Sequence, residues 1–135
     1  MPAFSAIYQS KLGRTLIPAL AGFFGYGSWA FFCNFMHGIG MGLQSGLVQG
    51  SLSFVITLVS NFVMEGIYRL TQAKIVTILT ASTLIVGTSY TVNTLAGTPE
   101  VLWTIAPGSI MGVVYVVSYV SALNKRSSTS SDTQT

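Results

Sequence analysis

Few residues in this chain could do chemistry, and they are scattered. It holds one histidine, one cysteine and three carboxylates, whereas catalysis and metal binding need such groups to converge. Cys33 and His37 stand one helical turn apart on one face. With a single cysteine in the chain, no multi-cysteine metal site can be assembled around that pair. His37 and Glu100 fall in short joints predicted on the same side of the molecule and can meet there. One imidazole and one carboxylate make neither a metal site nor a triad. No glycine loop followed by Lys-Ser/Thr is present to cradle a phosphate. These residues point away from an enzyme and call for no metal and no cofactor.

A second set has a regular spacing. Ser45, Gln49, Ser53, Thr57, Asn61, Glu65 and Arg69 recur every fourth position. On a helix each step of four turns about 400°, so the row drifts by about 40° per step. Gln49, Ser53, Thr57 and Asn61 can therefore share a face. Amides in an apolar helix turn toward a neighbouring helix or a water-filled cavity. The row reads either as interhelical hydrogen bonding or as the lining of a substrate path. Glu65 and Arg69 stand in the favourable order for an i,i+4 ion pair and are predicted as an interface pair at the helix end. Beside the polar row run Gly38, Gly42, Gly46 and Gly50. Small residues at this spacing let two membrane helices approach closely, so Gly42, Gly46 and Gly50 are predicted as packing positions. Gly38 and Gly42, with Gly40 between them, also read as a flexible turn.

The elements that must carry these rows follow from composition. Half of the residues are hydrophobic and 7% are charged, against about 25% charged in a soluble domain. Mean hydropathy is +0.64. So few charges cannot solvate a domain of 135 residues, which points to lipid as the solvent. Four charge-free apolar stretches are long enough to cross a bilayer: Thr15 to Met36, Leu43 to Met64, Ile75 to Leu95 and Leu102 to Leu123. Backbone groups in lipid must bond within their own segment, so the spans are helices. Strand-like alternation is missing, which removes a barrel. The expected fold is all-α: four transmembrane helices over residues 15–123.

Charge sets the expected threading. Lys11 and Arg14 precede the first span, Arg69 and Lys74 lie between the second and third, and Lys125 and Arg126 follow the fourth. Four crossings put all six basic residues on one side. The positive-inside rule makes that side, and both termini, cytoplasmic. The expected location is a bacterial inner membrane. A net charge of +3 with no basic patch gives no footprint for nucleic acid.

The flanks are short. Within residues 1–14, Phe4, Ile7, Tyr8 and Leu12 recur at helical spacing. That fits a short amphipathic helix on the membrane surface or an unstructured lead-in. Residues 124–135 contain a Ser/Thr-rich end with no apolar residue to bury, so a disordered cytoplasmic tail is expected. The third helix offers Thr77, Thr80, Thr83, Gly87, Tyr90 or Thr91, and Thr94 as a face toward the second. The fourth offers Gly108, Gly112, Tyr115, Tyr119 and Ala122. Pro18 is expected in the first turn of helix one, and Pro107 about a turn inside helix four.

Two function classes fit. One is a small transport-type protein: a pore, carrier or flippase component for an uncharged or lipid-linked substrate. The other is a non-enzymatic accessory or scaffold subunit. Both use the lipid bilayer as solvent and call for a homo-oligomer or a larger membrane complex.

Overall fold

The computed structural model describes residues 5, 6 and 9–133. Helix α1 spans Lys11–Asn34, α2 Ile39–Thr71, α3 Lys74–Leu95 and α4 Val101–Thr133. No strand occurs among the described residues. All four helices are long and apolar enough to cross a membrane, so the chain is an all-α integral membrane protein. Its large apolar side chains face outward, among them Phe24, Phe32, Leu47, Phe62 and Leu79, as a lipid solvent permits. Of the apolar residues of the predicted surface helix, Phe4, Ile7 and Tyr8 lie outside the described residues, and Leu12 belongs to α1.

The helices end where local chemistry stops them. Ser10 caps α1 by accepting from the Gly13 amide at 3.0 Å. A 3₁₀ turn over Phe35–His37 leads to Gly38, whose φ of 117° reverses the chain; side chains rarely tolerate that conformation. Gln72 ends α2 in the left-handed region, its amide bonded to the Tyr68 carbonyl. Gly97, at φ 76°, ends the turn after α3. The helices overrun the apolar spans because a formed helix propagates easily. At about 1.5 Å per residue the 33 residues of α2 reach roughly 50 Å, well beyond a hydrocarbon core of ~30 Å.

This overrun corrects two expectations. The segment expected as a disordered tail from residue 124 is helical through Thr133. It buries nothing at its end, and its hydroxyls bond the carbonyls one turn back: Thr129 to Lys125, Ser130 to Arg126 and Thr133 to Thr129. Pro18 lies in the second turn of α1, because α1 starts at Lys11. It therefore deprives the Arg14 carbonyl of its helical donor. Pro107 does the same to the Trp103 carbonyl in α4, and there the Trp29 indole N–H replaces the missing donor at 2.7 Å.

Contacts fix an up-down-up-down bundle. A β-carbon built on Gly50 would lie 2.8 Å from the Phe23 carbonyl oxygen; on Gly46, 2.9 Å from that of Gly27. So α1 and α2 run antiparallel with their backbones nearly touching. Gln44 donates to the Ala96 carbonyl, and Thr71 meets Thr77 across the α2–α3 turn. Gln49 lies beside Gly108, and Tyr68 donates to Asn124, so α2 and α4 are parallel. The alternation places all six basic residues at the end that carries the chain termini and the α2–α3 turn. His37 and Glu100 mark the opposite end. The apolar core is small: Met64, Tyr68, Ala81, Val116 and Val120 join α2, α3 and α4 near the terminal end. Helix α1 takes no part in it and is held to α2 by the glycine contact.

Candidate functional site

The polar row of α2 rotates out of the bundle as its 40° drift requires. Gln49 is 2% exposed and Ser53 8%, Thr57 is half-buried, and Asn61 is exposed. All four residues line one cleft of ≈ 620 Å³ between α1, α2 and α4. Ser89 of α3 closes its floor. Glycines make the room: Gly22 and Gly25 on the α1 wall, Gly108 and Gly112 on the α4 wall. Gly25 has open space where a side chain would stand, and a β-carbon built on Gly108 would lie 3.5 Å from the Gln49 amide nitrogen. The rim residues Pro18, Ala21, Met111 and Tyr115 are all exposed. The cleft thus opens sideways between α1 and α4, and toward the terminal end at Arg14.

Its deep end is held by a network of buried amides. Asn93 of α3 donates to the Gln49 side-chain oxygen at 2.7 Å and to the Ser89 carbonyl at 2.9 Å, and Thr98 donates to Asn93 at 3.2 Å. Gln49 keeps its NH₂ for the cleft, where it makes only a 3.4 Å bond to Ser53. Thr57 bonds back to the Ser53 carbonyl, and Tyr115 donates to Asn61 at the rim.

Beyond Gln49 the bundle closes. Asn34, fully buried, donates to the Ala30 carbonyl and to the Thr104 hydroxyl, both at 2.8 Å. Its oxygen accepts from the Glu100 backbone N–H at 2.9 Å. His37 and Glu100 pair at 3.1 Å across the two loops, both side chains half-exposed. Together with Trp29, these bonds pin α1 to the start of α4 at this end.

No family model, curated protein or solved structure matches this chain.

The geometry sorts the predicted residues. Gln49, Ser53, Thr57 and Asn61 come together in the cleft. Gly42, Gly46 and Gly50 pack as a row, but against Phe31, Gly27 and Phe23 of the same chain. Gly38 belongs to the turn. The predicted Glu65–Arg69 ion pair does not form: among the described residues the ion pair is His37–Glu100. Glu65 instead accepts from the Tyr119 hydroxyl, which reaches it from α4 and offers a better-shielded partner. Along α3 the threonine face is also corrected. Thr77, Ala81, Ser89 and Asn93 are buried at a spacing of four or eight, while Thr80, Thr83, Thr91 and Thr94 face outward. On α4, Tyr115 and Tyr119 meet α2 as expected, whereas Ala122 is exposed.

Asn34 and Asn93 were not anticipated. Their signal was present: an asparagine within an apolar run requires partners. The α1 glycines and Arg14 carried no periodic signal and acquire their role only from α4 standing apart from α1.

Proposed function

We propose that this is a transport-type membrane protein, a carrier or flippase component for an uncharged polar or lipid-linked substrate. The cleft carries the reading. Its volume falls in the range of ligand sites, about 300–1,000 Å³, and its floor presents uncharged hydrogen-bonding groups inside an apolar bundle. Closure at the His37–Glu100 end supports a carrier-like cleft over a continuous pore. A second reading, an accessory or scaffold subunit, draws on α3. There Thr83, Gly87, Thr88 and Thr91 line an outward groove of ≈ 320 Å³ that a helix from a second copy or a larger complex could fill.

Cysteine accessibility separates the readings. In a Cys33→Ala background, Ser53→Cys, Thr57→Cys and Asn61→Cys should react with a small water-soluble thiol reagent, because the thiolate forms only where water reaches. Val55→Cys and Phe62→Cys, which face outward, should stay unreactive. A uniformly unreactive α2 would remove the transport reading and leave the scaffold.

The orientation is part of the proposal: both termini cytoplasmic, in a bacterial inner membrane, supported by six basic residues at one end. Reporter fusions after Arg69 and after Lys125 should give cytoplasmic signals, and a fusion after Gly97 an external one. An external signal after Arg69 would overturn it.

A further inference from the structure

The cleft differs from a pocket for a water-soluble solute in where it opens. Its long mouth faces sideways between α1 and α4, into the space that hydrocarbon chains occupy. The rim at Pro18, Ala21 and Met111 is apolar or lacks any donor, whereas the floor at Gln49 and Ser53 is polar. Among the described residues Arg14 is the one charged residue lining it, at the terminal end where the interface lies. Antiparallel packing sets Arg14 near the level of Asn61, and Gln49 about 18 Å deeper along α2. Arg14 is exposed, so its guanidinium can bond an oxyanion in two places. Pro18 leaves the Arg14 carbonyl without its helical donor, so an acceptor for a hydroxyl stands beside that cation.

Resting on the transport reading, we propose that the ligand of this cleft is a membrane lipid with an anionic phosphate headgroup. Its phosphate binds Arg14, its uncharged polar groups reach toward Thr57, about 6 Å deeper, and its chains leave between α1 and α4. A soluble anion would satisfy Arg14 but would leave the apolar side mouth unfilled. A zwitterionic lipid would fill the mouth but bring its own cation to Arg14.

The test uses the full chain in phosphatidylcholine vesicles, with phosphatidylglycerol or phosphatidylcholine spin-labelled on an acyl chain. Electron paramagnetic resonance reads the motionally restricted fraction of each. The wild type should hold phosphatidylglycerol about fivefold more strongly, the scale of one basic residue beside an anionic lipid. Arg14→Gln should abolish the preference, Arg14→Lys should keep most of it, and Lys125→Gln, outside the cleft, should leave it unchanged. Gly25→Leu, which projects into the cleft, should abolish it with Arg14 intact. Excess glycerol phosphate in the buffer should not displace the lipid. No preference in the wild type overturns the proposal. So does a preference that survives Arg14→Gln or Gly25→Leu, one that falls equally with Lys125→Gln, or one that glycerol phosphate removes. If Ser53→Cys is reactive toward water-soluble reagent while the lipid preference is missing, the substrate class is wrong and the transport reading stands. If the cleft cysteines are unreactive, the transport reading itself falls.

Discussion

Gly50→Leu and Gly46→Leu should each separate α1 from α2 and destabilise the folded protein strongly. Even a β-carbon at these positions would stand 2.8 Å and 2.9 Å from the carbonyl oxygens of Phe23 and Gly27. Those atoms are helical backbone, so no side-chain rotation relieves the clash. Overpacking typically costs about 1–3 kcal/mol, and a leucine at a backbone-to-backbone contact falls at or above the top of that range. Because α1 lies outside the apolar core of the other helices, its packing on α2 depends on this close approach. Unfolding in detergent, followed by heat or denaturant, reads the effect. Leu47→Ile, at a side chain 61% exposed to lipid, should be nearly silent. Gly66→Ala meets nothing within 4 Å and should be neutral or gain up to about 1 kcal/mol of helix propensity. The contact lies within one chain, so stability rather than oligomer size should respond. Unchanged stability in both leucine variants would refute the packing role.

Asn34→Leu should be the second large loss. The substitution nearly conserves volume but removes the bonds to Thr104 and Glu100, leaving a buried hydroxyl and a backbone N–H without their partner. Interhelical bonds in membranes average about 0.6 kcal/mol and reach ~1.7, and an orphaned buried group adds roughly 1–3. The expected cost is about 2–5 kcal/mol. The consequence for the site is directional, because this bond network closes the cleft at the His37–Glu100 end. In the Cys33→Ala, Ser53→Cys protein, a membrane-impermeant thiol reagent added on that side should label position 53 only when Asn34→Leu is also present. Stability within about 0.5 kcal/mol of the parent, with no labelling from that side, would show that Asn34 closes nothing.

Much of the candidate site was legible along α2, where one helix carries both rows. The 3.6-residue period alone places Gln49, Ser53, Thr57 and Asn61 on a drifting face, and their graded burial follows that drift. The same period places Gly46 and Gly50 together. What it could not supply is the partner of each face. The close approach of α1 depends on Gly27 lying opposite Gly46, a register set by the three-residue turn before Gly38. The expected threonine face of α3 points outward for a related reason. Its threonines form a helical stripe as regular as the buried one, and hydroxyls can bond their own backbone, so burial leaves no mark on their spacing. Glu65 left its expected partner because a tyrosine on another helix came closer than the arginine on its own.

Composition and charge by themselves determined that the chain lives in lipid, crosses it with four helices and gathers its basic residues at one end. Those properties follow from transfer free energies summed over stretches of about 20 residues, and they do not depend on how the helices meet. The tertiary structure alone decided that α1 stands apart from α4 below the Asn34 network, so that the polar row faces a cleft rather than a packed helix. That outcome depends on a few backbone contacts at glycines and a few amide bonds between distant residues. Each acts through the relative position of two helices, which no local spacing encodes.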